Sequence, residues 1–288
     1  MVKEFALHRI FLVAICTFAM GIMSIPVPEG GDLTAAVCGF LCVAVLYFFI
    51  FKLKNNKIAV WVAAVTSVFF AAMQIGIITE FFSHKVLKNT PDILITALFI
   101  LTVLYACFTE GTALLKFSLI AFPIIVISVG IILLLSLNQV DSLKFSYLVK
   151  SQKDLFFVRS IKYGALFSPV LFSPFHSEGA NKRKRDDFIG LSLGFAVFVV
   201  CFLNVSLFLK GAQHNDFPYF HITEILSAGG FFTRQTGFVY VVFFVVSFIK
   251  VCLLMQVAEA PFKGYRQGIR KTAIVTAIAF ATVLSYVF

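Results

Sequence analysis

Gly164-Ala165-Leu166-Phe167-Ser168-Pro169-Val170-Leu171-Phe172-Ser173-Pro174 decides how this chain is read. The stretch lies inside an apolar run, 157–175, and carries two Ser-Pro pairs within one prospective span. Proline removes a backbone donor and pushes the residue before it out of the helical region, so the pattern predicts a kink or an unwound segment. Inside a bilayer, such backbone is tolerated only where protein or a cavity satisfies it. A second interruption precedes it: Ala19-Met20-Gly21-Ile22-Met23-Ser24-Ile25-Pro26, at the end of the first apolar run. Interrupted segments at matching positions of two halves point to a transporter binding site. Here they fall in the first and sixth runs, the offset an inverted five-helix repeat produces. Exposed half-helix N-termini there suit a carboxylate, and freed carbonyls suit an ammonium group. The alternative is ordinary proline kinking with no site.

Working outward, the chain has 288 residues, 60% hydrophobic and 13% charged, with 37 phenylalanines and a mean hydropathy of +0.97. Soluble domains carry roughly 45–50% apolar and about 25% charged residues. A soluble enzyme, a disordered chain and a secreted disulfide scaffold are therefore excluded, and the class is an all-α polytopic membrane protein. Nine segments approach spanning length: 9–25, 32–51, 58–80, 92–108, 112–137, 157–175, 188–209, 237–258 and 271–288. The chain reads as a single membrane domain, 1–288, with a first repeat over 9–137 and a second over 157–288. No small-residue cleavage site follows the first run, so it reads as a retained span.

The net charge of +10 reads as topology rather than nucleic-acid binding. Most basic residues, including Lys3, Arg9, Lys52, Lys54, Lys57 and the run Lys182, Arg183, Lys184, Arg185, fall on one side if the N-terminus is cytoplasmic. The six cysteines lie in apolar runs without zinc-site spacing. Cys38 and Cys42 are one helical turn apart. No metalloprotease, nucleophile-elbow, P-loop or EF-hand motif occurs. Asp186 and Asp187 form a lone acidic pair beside the basic run. The reading is therefore no enzyme, no cofactor and no metal. Residues 138–156 and 211–237 mix charges with aromatics, and the second predicts a short amphipathic helix over the outer face.

Lys250 stands out among intramembrane residues. A charge within a span costs roughly 2.5–3.5 kcal/mol on insertion scales and faces a cavity or a partner. Snorkelling is the competing explanation. Gln74, in the third run, and Glu80, at its outer end, are possible pathway residues. Helix packing and headgroup contact are their respective alternatives. Asn204 and Ser206 suit helix–helix hydrogen bonds.

These features carry a resemblance. The stretch 216–255 (DFPYFHITEILSAGGFFTRQTGFVYVVFFVVSFIKVCLLM) resembles the spore germination permeases, the B subunits of germinant receptors, at Pro218, Tyr219, Phe231, Arg234 and Lys250. The Gly21-containing segment, Glu80-Phe81, and Glu110-Gly111 through Pro123 are similar to other parts of that family. The resemblance implies the amino acid–polyamine–organocation superfamily and a LeuT-like fold of ten helices in two inverted repeats. Nine are counted here, so a tenth is missing by this reading. It implies a substrate site at Gly21, Ile22, Met23, Phe167 and Ser168. It also places Lys250 where such transporters hold a coupling cation between the eighth and first helices.

The expected function is a permease-like subunit that binds a small germinant, an amino acid by this reading, and signals to other germinant-receptor subunits. Its expected setting is the lipid bilayer of a bacterial cytoplasmic or inner spore membrane. Two alternatives remain: an ion- or proton-coupled amino acid transporter, and a non-transporting structural subunit of a membrane complex.

Overall fold

A computed structural model describes residues 2–24, 32–109, 112–136, 156–175, 184–208 and 235–286. Among these, nine α-helices follow one another: α1 (Val2–Ser24), α2 (Asp32–Leu53), α3 (Lys57–Phe81), α4 (Asp92–Phe108), α5 (Thr112–Ser136), α6 (Phe156–Phe167), α7 (Lys184–Phe208), α8 (Gln235–Ala258) and α9 (Gln267–Ser285). They match the nine apolar runs. Among the described residues, six helices are long and apolar enough to cross a membrane. Leu7–Phe18 and Asp92–Phe108 are shorter apolar helices. With no water at bilayer depth, helices satisfy their own backbone groups, which is why so apolar a sequence resolves into them. The chain is an all-α integral membrane protein.

The two predicted breaks fare differently. α6 ends at Phe167, and Ser168–Phe175 continues as a 3₁₀ helix. The Ser-Pro pairs thus tighten the backbone where they were expected to. α1 shows no such break: it is helical through Ser24, so Gly21, Ile22 and Met23 lie in helix. A glycine inside a helix costs only about 1 kcal/mol, less than leaving backbone groups unpaired in hydrocarbon. Pro26 lies outside the described residues. So do residues 138–155 and 211–234, which hold most of both stretches expected outside the membrane.

The packing has an order. α1 lies against α7, and α2 against α6. α1 packs on α8, and α3 on the 3₁₀ segment after α6. α3 packs on α9, and α4 on α8. α3 and α8 pack on each other, as do α1 and α6. Adding five to each helix number, with the count restarting after ten, converts each of the first three contacts into its partner and leaves the last two unchanged. Small residues set the closest crossings. A Cβ on Gly39 of α2 would lie 2.6 Å from the carbonyl oxygen of Ser160 and 2.7 Å from the amide nitrogen of Gly164, both on α6. On α7, a Cβ on Gly190 would lie 2.6 Å from the Ile10 carbonyl oxygen, and one on Gly194 would strike that of Ala14. Gly190 and Gly194 form the small-xxx-small spacing that lets membrane helices approach closely.

Candidate functional site

The interior is apolar, so its polar side chains are conspicuous. Lys250 on α8 is fully buried. Its Nζ has no hydrogen-bond partner among the described residues. It lies eight residues from the α8 end at Ala258, about 12 Å along the axis, deeper than snorkelling readily reaches. Across the α1–α8 contact, the Cys16 thiol lies within electrostatic reach of it. One turn before Lys250, Ser247 accepts a hydrogen bond from Gln74 Nε2 of α3 at 3.3 Å. Gln74, Ser247, Lys250 and Thr17 are all fully buried. Gln74 thus ties α3 to α8.

Phe167 and Ser168 sit at the α6 break but face different surroundings. Phe167 is buried in an aromatic cluster. It meets Phe40, Phe195 and Phe198 edge-on at ring distances of 5.6, 5.7 and 4.8 Å. Ser168 is half-buried, and its hydroxyl donates back to the Ala165 carbonyl at 2.7 Å. The side chains of Gly21, Ile22 and Met23 lie outside the described residues. The pocket expected between α1 and α6 is therefore represented by its α6 wall alone. Glu80 is exposed. It lines a separate cavity of about 330 Å³ with His84, Asp92, Thr79 and Thr96 at the joined ends of α3 and α4. Asn204 is buried, whereas the Ser206 side chain lies outside the described residues. None of the six cysteines forms a disulfide among the described residues.

Two ion pairs were missed from sequence. Arg9 reads there as a solvated anchor and Asp187 as half of a lone acidic pair. In the fold both are buried and form a bidentate pair: Arg9 Nε meets Asp187 Oδ1, and Nη2 donates to Oδ2 at 2.7 Å. The Tyr47 hydroxyl of α2 also donates to Oδ2, and the Ser173 hydroxyl, beyond the α6 break, lies 3.3 Å from the Tyr47 hydroxyl. This cluster joins α1, α2, α7 and the 3₁₀ segment. The second pair is Arg159 Nη1 on α6 with Asp32 Oδ1 on α2, at 3.1 Å. In each case an arginine near the start of α1 or α6 meets an aspartate in the first turn of α7 or α2. Four helices lie between α1 and α6, so five successive crossings, α1 included, start the two at opposite ends of the bundle. One clasp therefore closes each end.

A signal for this was present in the sequence. Asp32-Leu33-Thr34-Ala35-Ala36-Val37-Cys38-Gly39-Phe40 and Asp187-Phe188-Ile189-Gly190-Leu191-Ser192-Leu193-Gly194-Phe195 share the pattern D-x6-G-F. The aspartate clasps the arginine, the glycine admits the crossing helix, and the two phenylalanines stack on each other at 4.0 Å. Three identities in nine residues are a weak internal repeat until the fold shows all three performing matched tasks.

Comparison with solved structures decides what this arrangement is. The chain aligns over 98% of its length with 71% of a Na⁺-coupled sialic acid symporter in a substrate-bound outward-open state, at a TM-score of 0.68 and 12% identity. The fold is that of the LeuT-like transporters. A second LeuT-like structure is Mhp1, a nucleobase-cation-symport-1 family transporter in a closed conformation with bromovinylhydantoin bound. It aligns over 99% of this chain and 72% of its own, at a TM-score of 0.65 and 14% identity. No protein-family model matches the chain, and no curated protein matches it by sequence. At these identities the likeness concerns the LeuT-like fold alone.

Proposed function

We propose that the protein is a permease-like membrane subunit that binds a small molecule between α1 and α6, with the Lys250 ammonium as a built-in cation beside α1. The observation that carries this is the burial of Lys250, without a hydrogen-bond partner among the described residues, on the helix facing α1. A buried charge without a partner has no stabilising role of its own, and in membrane interiors such charges mark functional positions. The fold neighbours include a Na⁺-coupled symporter. A fixed ammonium in place of a diffusible cation makes ligand binding independent of sodium. The division into repeats over 9–137 and 157–288 supports the same reading, because the site then lies where the first helix of each repeat meets the other. Gly21, Ile22, Met23 and Ser168 are its expected lining, and Phe167 supports the α6 wall from behind.

The ligand is an amino acid on this reading, its carboxylate held by helix N-termini and Lys250 nearby. The biological role is germinant sensing with partner subunits in a bacterial cytoplasmic or inner spore membrane, the N-terminus facing the cytoplasm. Binding then acts by favouring one of two conformations. A proton-coupled transporter, with Lys250 as the group that exchanges the proton, is the second reading, favoured by the same residue.

The deciding experiment measures saturable binding of labelled L-amino acids to purified protein in potassium and in sodium buffer. The expected result is binding of at least one amino acid in both salts, abolished in the stably folded Lys250→Ala protein. Sodium-dependent binding in the wild type, or unchanged sodium-independent binding in Lys250→Ala, overturns the built-in cation. Net uptake into proteoliposomes under a pH gradient, absent without it, selects the proton-coupled reading. Spores lacking the gene that respond normally to every amino acid germinant overturn the sensing role.

A further inference from the structure

A long apolar groove of about 830 Å³ runs between α3 and α9, apart from the site between α1 and α6. On α3 its wall is Trp61, Ala64, Val65, Val68 and Phe69, the i, i+3, i+4 spacing of one helix face. On α9 it extends from Gly268 through Thr272 and Thr276 to Phe280. Twelve residues of helix rise about 18 Å, close to the roughly 15 Å depth of one hydrocarbon leaflet. The groove therefore begins at one surface of the bilayer and ends near its midplane.

Its surface end is basic. Arg266, the residue preceding the first turn of α9, lines the groove and is exposed. Among the described residues, it makes no side-chain hydrogen bond or ion pair. Lys57 opens α3, Lys263 lies in the α8–α9 connection, and Arg270 and Lys271 lie near the start of α9, so the sequence at this end is rich in basic residues. Glu259, the acidic residue there, is already occupied by Arg270. Trp61 stands at the same level and meets Phe262 edge-on at 5.3 Å, where tryptophan anchors a chain to the headgroup region. The start of α9 adds unpaired backbone N–H groups that favour an anion. α9 is also poorly covered by protein among the described residues: 17% of its spanning window is buried, against 78% for α8.

We infer that this groove is a binding site for an anionic phospholipid, with one acyl chain lying between α3 and α9 and the phosphate on Arg266. Charge and length select this occupant. An apolar slot one leaflet deep with a cationic mouth complements a lipid with a long tail and an anionic head. The lipid then supplies the packing that α9 lacks from protein. This site is independent of the cation role assigned to Lys250.

Native mass spectrometry of the purified full chain tests it, titrated in parallel with palmitoyl-oleoyl phosphatidylglycerol and the matching phosphatidylcholine. The expected result is one tightly retained phosphatidylglycerol, held at least fivefold better than phosphatidylcholine. Arg266→Gln is expected to reduce retention to the phosphatidylcholine level. Thr276→Trp, which fills the groove from an exposed position, is expected to lower retention of both lipids. Equal retention of the two lipids by the wild type overturns the proposal without recourse to any variant. So does undiminished phosphatidylglycerol retention in Arg266→Gln, or a lipid-free mass of two chains, which would place a second copy in the groove.

Discussion

The Arg9–Asp187 clasp and the Arg159–Asp32 clasp are built to one plan but differ in depth. The first is sealed: its side chains are 8% and 0% exposed, and Tyr47 and Ser173 cover it from two further elements. The second makes a longer described contact, and its side chains are 14% and 6% exposed. A buried ion pair gains more from Coulomb attraction and loses more to desolvation than a half-wet one. The sealed clasp therefore tolerates the loss of a partner poorly, whereas the other opens at lower cost.

The largest expected effect is at the sealed end. Asp187→Ala strands the buried Arg9 guanidinium and is expected to cost about 3–5 kcal/mol, read as a fall in thermal unfolding temperature in detergent. A loss no larger than that of Asp32→Ala would break the comparison. Asp32→Ala removes the more accessible charged hydrogen bond and is expected to cost about 1.5–3 kcal/mol by the same measurement. The glycines test whether the two crossings are equivalent. Gly39→Ala and Gly194→Ala each drive a methyl group into facing backbone and are expected to cost similar amounts, about 1–3 kcal/mol. A benign Gly39→Ala beside a damaging Gly194→Ala would show that the halves are no longer matched. The smallest effect has the opposite sign. Lys250→Met replaces an unpaired buried charge with an apolar chain of similar length and is expected to leave stability unchanged or raise it by about 1 kcal/mol. Read beside Asp187→Ala, it separates a cation the fold needs from a cation the fold only tolerates.

The sequence was most legible where the physics is local. A run of about twenty apolar residues forms a helix in a bilayer whatever surrounds it, so each of the nine segments overlaps one of the nine helices among the described residues, with the widest departures at the start of α1 and the end of α6. The α6 break was equally local, because Ser168-Pro169 and Ser173-Pro174 act on their own backbone. Gly21 misled for the converse reason. Glycine permits a break without imposing one, and the hydrocarbon setting favours the unbroken helix through Ser24.

Site residues divide along the same line. Lys250 was identifiable because a charge in an apolar run is improbable on its own. Arg9 and Asp187 were not, because each lies at a helix end beside other polar residues, where exposure is the rule. Phe167, expected to line the pocket, packs against Phe195 and Phe198 on a helix it approaches only in three dimensions. Composition and hydrophobic run length, then, determined by themselves that this is a helical membrane protein and where its chain crosses. Tertiary structure alone decided which charges are buried and which helices meet, pairing residues that lie 178 and 127 positions apart. The reason is physical. Transfer into hydrocarbon is a property of each segment, whereas ion pairing and helix crossing depend on distances that exist only once distant segments have packed.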